Sequence, residues 1–208
     1  MGKILLVRHG ETDWNKERRI MGREPIGLNE NGRRQARELR EGLSDIGIEA
    51  VYSSPVARAL ETAEILCQGR SLAPIPEEGL VEVHYGEWVG KTFMEVRAMP
   101  GYVPYTQRLD TPVAPGGETL YQVRDRAMAF LSHVSELHLD GNILIVSHAD
   151  WIKCVFMQLL SIPFEKIWSL RIDNATVCVL ETEERGFRVL SFNHGADLGH
   201  LFVPRVSF

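Results

Sequence analysis

The feature that most constrains this chain is a run of four branched apolar residues, Ile4-Leu5-Leu6-Val7, broken at once by Arg8, His9 and Gly10. An apolar run of this length without alternation is expected to form a strand buried on both faces, as in the sheets of α/β proteins. Open sheets of that kind place their sites at the carboxyl ends of the strands. A guanidinium, an imidazole and a flexible backbone position arrive there together.

The arrangement recurs further along. Asp140-Gly141-Asn142 turns into Ile143-Leu144-Ile145-Val146, a second fully buried strand, which runs into Ser147-His148-Ala149-Asp150. One histidine at a strand end is ordinarily a satisfied core or edge residue. Two in the same setting, on strands ending at one sheet edge, point to function.

The segments between follow α/β logic. Ala36, Leu39 and Leu43, spaced by three and four after Asn29, predict a helix over 31–42 that ends around Gly42. Ala50-Val51-Tyr52-Ser53 reads as a short strand. Pro55 suits the first turn of a helix over 55–68, with Ala59, Leu60, Ala63 and Leu66 facing inward. Residues 91–98 read as a short helix. From Met99 to Gly117 the chain is rich in Pro, Gly and Tyr, so 91–117 is expected to be a lid or insertion. A wide apolar stripe, Leu120 to Leu137, predicts a long amphipathic helix, and a further helix is expected over 151–160. Ala175–Glu181 and Phe187–Phe192 read as a hairpin, and the tail from 194 to 208 has no clear pattern. The alternation predicts an α/β fold, one domain over 1–208, with helices on both faces of a mostly parallel sheet and the hairpin at an edge.

Net charge is -5 and no basic tract occurs, which argues against nucleic acid as a partner but leaves room for a local pocket that takes a small anion. The three cysteines, Cys67, Cys154 and Cys178, are odd in number and form no CxxC, so they are expected to be reduced core residues rather than zinc ligands or a disulfide framework. No stretch has the length and apolarity of a membrane span, and none reads as a signal segment; a cytoplasmic location is the default expectation.

Arginine offers a rigid fork of donors suited to phosphate oxygens. Arg8 adjoins His9, and Arg58 lies one turn into the helix after Ser53-Ser54-Pro55; Asn15 adds a neutral donor. With an unprotonated imidazole beside them, these groups make an anion pocket with a nucleophile, His9. His148 adds a further donor. Departure of an alkoxide needs a proton, and Glu82, flanked by Leu80, Val81 and Val83, is the candidate if it is buried; the alternative is a solvent-facing residue on an edge strand. Metal ligation is a weaker reading, since no H-E-x-x-H occurs. The G-x-S-x-G elbow, the P-loop and the dinucleotide fingerprint are absent as well.

Leu6-Val7-Arg8-His9-Gly10-Glu11-Thr12, followed by Trp14-Asn15, resembles the signature of the histidine phosphatase superfamily, the phosphoglycerate mutase-like proteins. Four further segments agree in order: Tyr52-Ser53-Ser54-Pro55 with Arg58, Glu82 with Tyr85-Gly86-Glu87-Trp88, Pro115-Gly116-Gly117-Glu118, and Val146-Ser147-His148. The resemblance implies a three-layer α/β/α sandwich and a phosphohistidine intermediate that needs neither metal nor cofactor. It makes His9 the nucleophile and Glu82 the general acid and then base. Arg8, Arg58, His148 and Asn15 become the phosphate-binding groups. A homodimer is also a habit of such proteins.

The chain departs from the family pattern in three places. Ala149 stands where Gly is frequent. Gly22-Arg23-Glu24-Pro25-Ile26-Gly27-Leu28-Asn29 lacks the usual Asp and second Pro. His84-Tyr85-Gly86 is mutase-like, whereas Glu87-Trp88-Val89-Gly90 is phosphatase-like. The short chain and the few basic residues in 91–117 favour a phosphatase of small-molecule phosphate esters. The alternatives are a mutase that moves the phosphoryl group between substrate hydroxyls and a non-catalytic phosphate-binding protein. Phe93, Met94, Met99, Tyr102 and Tyr105 make an aromatic, fairly apolar lid, which fits either a nucleoside-like ring or plain lid packing; sugar phosphates, phosphoglycerate and phosphoserine stay open as substrates.

Overall fold

In a computed structural model, residues 2–184 and 186–196 are described. The elements run β1 (Lys3–Arg8), α1 (Asp13–Lys16), α2 (Glu30–Gly42), β2 (Ala50–Ser53), α3 (Ala57–Cys67) and β3 (Ile75–Pro76). They continue with α4 (Phe93–Arg97), α5 (Leu120–Leu137), β4 (Asn142–Ser147), α6 (Ala149–Leu159), β5 (Val177–Glu183) and β6 (Gly186–His194). Of the C-terminal tail, residues 197–208 lie outside the described residues.

The strands form one sheet in the order β3-β2-β4-β1-β5-β6. The first four are mutually parallel, while β5 pairs antiparallel with β1 and β6 antiparallel with β5. The expected hairpin is therefore present at the sheet edge.

The pleat explains why β1 shows no alternation. Ile4 and Leu6 face one layer with Ile143 and Ile145, packed with α5 and α6. Leu5 and Val7 face the other with Leu144 and Val146, packed against Leu39 of α2 and Ala59, Ala63 and Leu66 of α3. Both faces are covered, giving three layers, α/β/α. Each fully buried side chain of β1 contributes about 1.5–3 kcal/mol.

This topology also sets where a site forms. β1 leads to α2 in one layer, and its neighbour β4 leads to α6 in the other. Adjacent strands whose connections leave for opposite faces open a crevice at their carboxyl ends. Arg8 pairs in register with Ser147, so the residues that follow, His9 and His148, lie side by side at the strand ends.

Several element boundaries differ from the sequence expectation. α3 begins at Ala57, with Val56 as its cap, because Ser54 and Pro55 carry the chain out of the sheet first. α6 begins at Ala149, capped by His148, so the histidine is the junction between strand and helix. The segment around Glu82 is not an edge strand: a 3₁₀ turn at Glu78–Leu80 leads into unpaired extended chain. Segment 91–117 is tied into the core, with Val96, Tyr105, Val113 and Ala114 buried. Trp88 anchors it, its ring 5.8 Å from Tyr102 and 6.3 Å from Tyr105.

The three cysteines are free and buried. No helix among the described residues is long and apolar enough to cross a membrane.

Candidate active site

The crevice between β1 and β4 holds a cavity of about 400 Å³ whose wall includes Arg8, His9, Arg58, Glu82, Asp150 and Lys153. Four distant stretches of sequence meet there. Among the described residues, a cleft of 440 Å³ beside the β5–β6 turn is lined by no histidine.

His9 is 1% exposed, and its position is fixed through both backbone and ring. Its N–H donates to Ser147 O at 3.1 Å, and its carbonyl accepts from Asn174 Nδ2 at 3.1 Å. On the ring, Nδ1 lies 2.7 Å from Gly10 O, and Nε2 accepts from Arg58 Nε at 3.0 Å. A carbonyl only accepts and a guanidinium only donates, so the proton sits on Nδ1 and Nε2 keeps its lone pair. Burial, reinforced by the Arg58 and Arg8 guanidinium groups, holds the imidazolium well below its ordinary range. His9 is thus a neutral imidazole.

Gly10 is required by close packing. A Cβ there would stand 2.6 Å from Gly32 O of α2, too near for any side chain. Its N–H donates to Thr62 Oγ1 at 3.1 Å, and Thr62 in turn donates to Arg58 O at 2.7 Å, which links the histidine turn to α3.

Arg58 organises the floor. It is 1% exposed and reaches His9 through Nε. Its Nη2 donates to Gly22 O at 2.7 Å and to His148 Nδ1 at 3.1 Å, and its Nη1 donates to Glu24 O at 3.1 Å. The loop that departs from the family pattern is therefore pinned by this side chain. Burial lowers the Arg58 guanidinium to about 10. Arg8 is lowered too, again chiefly by burial. Arg8 Nη1 donates to Ile172 O at 2.7 Å, but its buried Nε has no hydrogen-bond partner among the described residues. Two concentrated positive groups, one buried and one half-buried with an unused donor, fit an anion.

His148 is fully buried, and its ring centroid lies 5.2 Å from that of His9. Because Arg58 donates to Nδ1, the ring proton sits on Nε2, which donates to Ser54 Oγ at 2.8 Å. Burial and Arg58 keep it neutral. It stands behind Arg58 rather than on the cavity wall. Asn15 is likewise off the wall: its Oδ1 accepts from Thr12 N at 3.1 Å and from Asn174 Nδ2 at 3.3 Å, in the capping box of α1.

Glu82 is buried, 8% exposed. Its Oε1 accepts from Val83 N at 3.0 Å and Trp151 N at 3.3 Å, and its Oε2 from Asp150 N at 3.4 Å. The carboxyl group thus faces the first turn of α6. Its own carbonyl accepts from Arg126 Nη2 at 3.1 Å and Arg23 Nε at 3.2 Å, which fixes the segment. Burial, then the neighbouring Asp150 carboxylate, pushes Glu82 up to about 7.

Sequence reasoning missed Asp150, Lys153 and Trp168. Asp150 and Lys153 pair at 3.0 Å, one turn apart on α6, and both are almost fully buried. Their signal was legible: two opposite charges three residues apart in an otherwise apolar helix. Trp168 had none, because it enters from a distant turn and meets Phe93 edge-on at 5.2 Å. Of the residues proposed for an apolar lid, Phe93 lines the cavity, Tyr102 and Tyr105 pack on Trp88, and Met94 is 81% exposed. Among the described residues, no cluster of three or more His, Cys, Asp or Glu side chains is arranged for a metal ion.

Comparisons with known proteins place the chain in a family. Phosphoserine phosphatase 1 of Hydrogenobacter thermophilus is 32% identical over 205 residues, covering 98% of this chain and 97% of that protein. The structure of YhfR from Bacillus stearothermophilus superposes with a TM-score of 0.84 at 32% identity, covering 93% of this chain and 98% of that one. A phosphoserine phosphatase from Entamoeba histolytica, crystallised with 3-phosphoglyceric acid, superposes with a TM-score of 0.83 at 29% identity, covering 95% of this chain and 100% of that one. Residues 4–195 match the family profile, and the chain belongs to the histidine phosphatase superfamily, branch 1.

Proposed function

We propose that this protein is a phosphomonoesterase that hydrolyses small-molecule phosphate esters through a phosphohistidine on His9. The observation that carries the proposal is the donation from Arg58 Nε to His9 Nε2 at 3.0 Å, which keeps an unprotonated nitrogen beside a buried guanidinium group, with the half-buried Arg8 next in sequence.

In the first half-reaction, His9 Nε2 attacks phosphorus and the ester P–O bond breaks. The bond's electron pair leaves on the alkoxide, which takes the proton of Glu82. Arg58 and Arg8 hold the equatorial oxygens, where charge is spread in the transition state. In the second, water attacks phosphorus, the Glu82 carboxylate takes its proton, the P–N bond breaks, and its electron pair returns to Nε2. Inorganic phosphate is released. His148 and Ser54 support Arg58 from behind, and Asn15 supports the His9 turn through Asn174. The relatives named for phosphoserine and crystallised with 3-phosphoglyceric acid favour a small anionic ester over a polymer, as does a cavity of about 400 Å³. A binding module has no use for a buried carboxyl group held near neutrality, which favours turnover.

The test is a panel of phosphate monoesters, including phosphoserine, 3-phosphoglycerate and sugar phosphates, assayed for inorganic phosphate with the wild type and His9→Ala. Phosphate release by the wild type alone supports the proposal. Retained activity in His9→Ala, or an isomeric phosphate ester as the main product, overturns it.

A further inference from the structure

Helix α6 is buried on nearly every residue, yet it carries an acid and a base in its first turns. Asp150 is 6% exposed and Lys153 7%. The Asp150 carboxylate is held from two sides, by Lys153 Nζ on Oδ1 at 3.0 Å and by the Tyr85 hydroxyl on Oδ2. Lys153 is itself held, its ammonium 5.0 Å from the centroid of the Trp168 ring. The Asp150 backbone N–H donates to Glu82 Oε2 at 3.4 Å, so the two acids adjoin at the helix start.

A buried salt bridge at such a place is costly to desolvate and adds little net stability. The ion pair therefore needs another reason to be there. Burial pushes Asp150 up, and the Lys153 ammonium with the Tyr85 hydroxyl outweighs it, so Asp150 stays below the usual carboxylate range. One carboxyl group of the adjoining pair is thus committed to its charged form.

Most other charges near Glu82 have the opposite sign; the exception is Glu118, whose Oε1 pairs with Arg23 Nη2 at 2.9 Å and Arg126 Nη2 at 3.0 Å. Arg8 comes from β1, Arg58 from α3 and Arg126 from α5. Arg23 reaches the Glu82 carbonyl. His9 and Lys153 share the cavity wall, and the neutral Tyr85 hydroxyl and Cys154 thiol lie near. Arg58 favours ionised Glu82; burial opposes it first, and the fixed charge of Asp150 adds to that opposition.

We infer that Asp150 is a positioning residue: a carboxylate fixed by Tyr85 and Lys153 that keeps the adjacent Glu82 protonated and its carboxyl group against α6, ready to serve the leaving alkoxide. This deepens the proposed function and rests on Glu82 as the proton donor. Asp150 does not exchange protons with substrate. Its charge offsets the arginines that bind the phosphoryl group, so one pocket holds both a strong anion site and a neutral acid.

The experiment is the pH profile of kcat/KM for an alkyl phosphate and for p-nitrophenyl phosphate, whose nitrophenolate leaves without a proton. Asp150→Asn keeps the shape and removes the charge. With the alkyl ester its alkaline limb should move to lower pH by about one unit, with about a tenfold loss of rate above the limb. With p-nitrophenyl phosphate little should change. Asp150→Glu restores the charge and should return the limb toward the wild-type position. Asp150→Ser serves in the same role where the Asn variant does not accumulate as folded protein. An unmoved limb in a folded, charge-free variant overturns the inference. Glu82→Gln separates the two layers: it should abolish the alkyl-ester limb, and a limb that persists in it overturns the reading of Glu82 as well.

Discussion

Replacing Glu82 with Gln should make the protein more stable at high pH while disabling it. Folding moves the Glu82 carboxyl group from its ordinary 4.5 up to about 7. A group raised in the folded state contributes its full stability below its unfolded value and loses it as pH rises through its folded value. For Glu82 that window runs from 4.5 to about 7, and the loss amounts to about 3 kcal/mol once both states are ionised. Gln cannot ionise and escapes it. Urea denaturation of both proteins at about pH 5 and about pH 8 should therefore show the variant gaining on the wild type by about 2–3 kcal/mol between the two conditions. In the same preparation, hydrolysis of alkyl esters should fall by about 10²–10⁴, the usual worth of a general acid. Stability curves that run parallel across that interval would refute the buried, uncharged Glu82 on which the proton donor depends.

Three further substitutions probe other parts of the site. Arg58→Lys loses the fork that spans His9, His148, Gly22 and Glu24, and kcat/KM should drop by about 10²–10³, with weaker inhibition by vanadate measured alongside. Gly10→Ala places a methyl group 2.6 Å from Gly32 O, which should cost about 1–3 kcal/mol in thermal or urea unfolding. Trp168→Ala removes a half-exposed ring beside Phe93 at the cavity wall; KM for esters with an apolar alcohol part should rise by up to about tenfold, with inhibition by inorganic phosphate unchanged.

Much of the fold was legible because burial on both faces erases alternation. Ile4–Val7 and Ile143–Val146 announced central strands, and the polar residues after each announced the sheet edge. The register that sets Arg8 beside Ser147 was not in the pattern, since strand order depends on which helix covers which face. Helix starts shifted where the strand runs straight into the helix through one extended residue, as it does at His148 before α6. Glu82 was legible as a candidate acid but not as a buried one. Its burial comes from α6 and from the arginines on its carbonyl, all remote in sequence. Asn15 and His148 were expected to hold phosphate, yet neither lines the cavity: Thr12 N takes the Asn15 side-chain oxygen, and Arg58 takes His148 Nδ1. Segment 91–117 read by composition as a lid or insertion; composition does not show that Tyr102 and Tyr105 pack on Trp88.

The central claim is that the phosphoryl group rests on His9 between ester and water. Rapid quenching of the wild type with a radiolabelled phosphate ester, followed by peptide mapping, tests it most directly. The account predicts label bound in near one-to-one proportion, stable in alkali and lost in acid as a phosphoramidate is, on the peptide that contains His9, and absent from His9→Ala. Turnover without any labelled enzyme, or label on another residue, would contradict it.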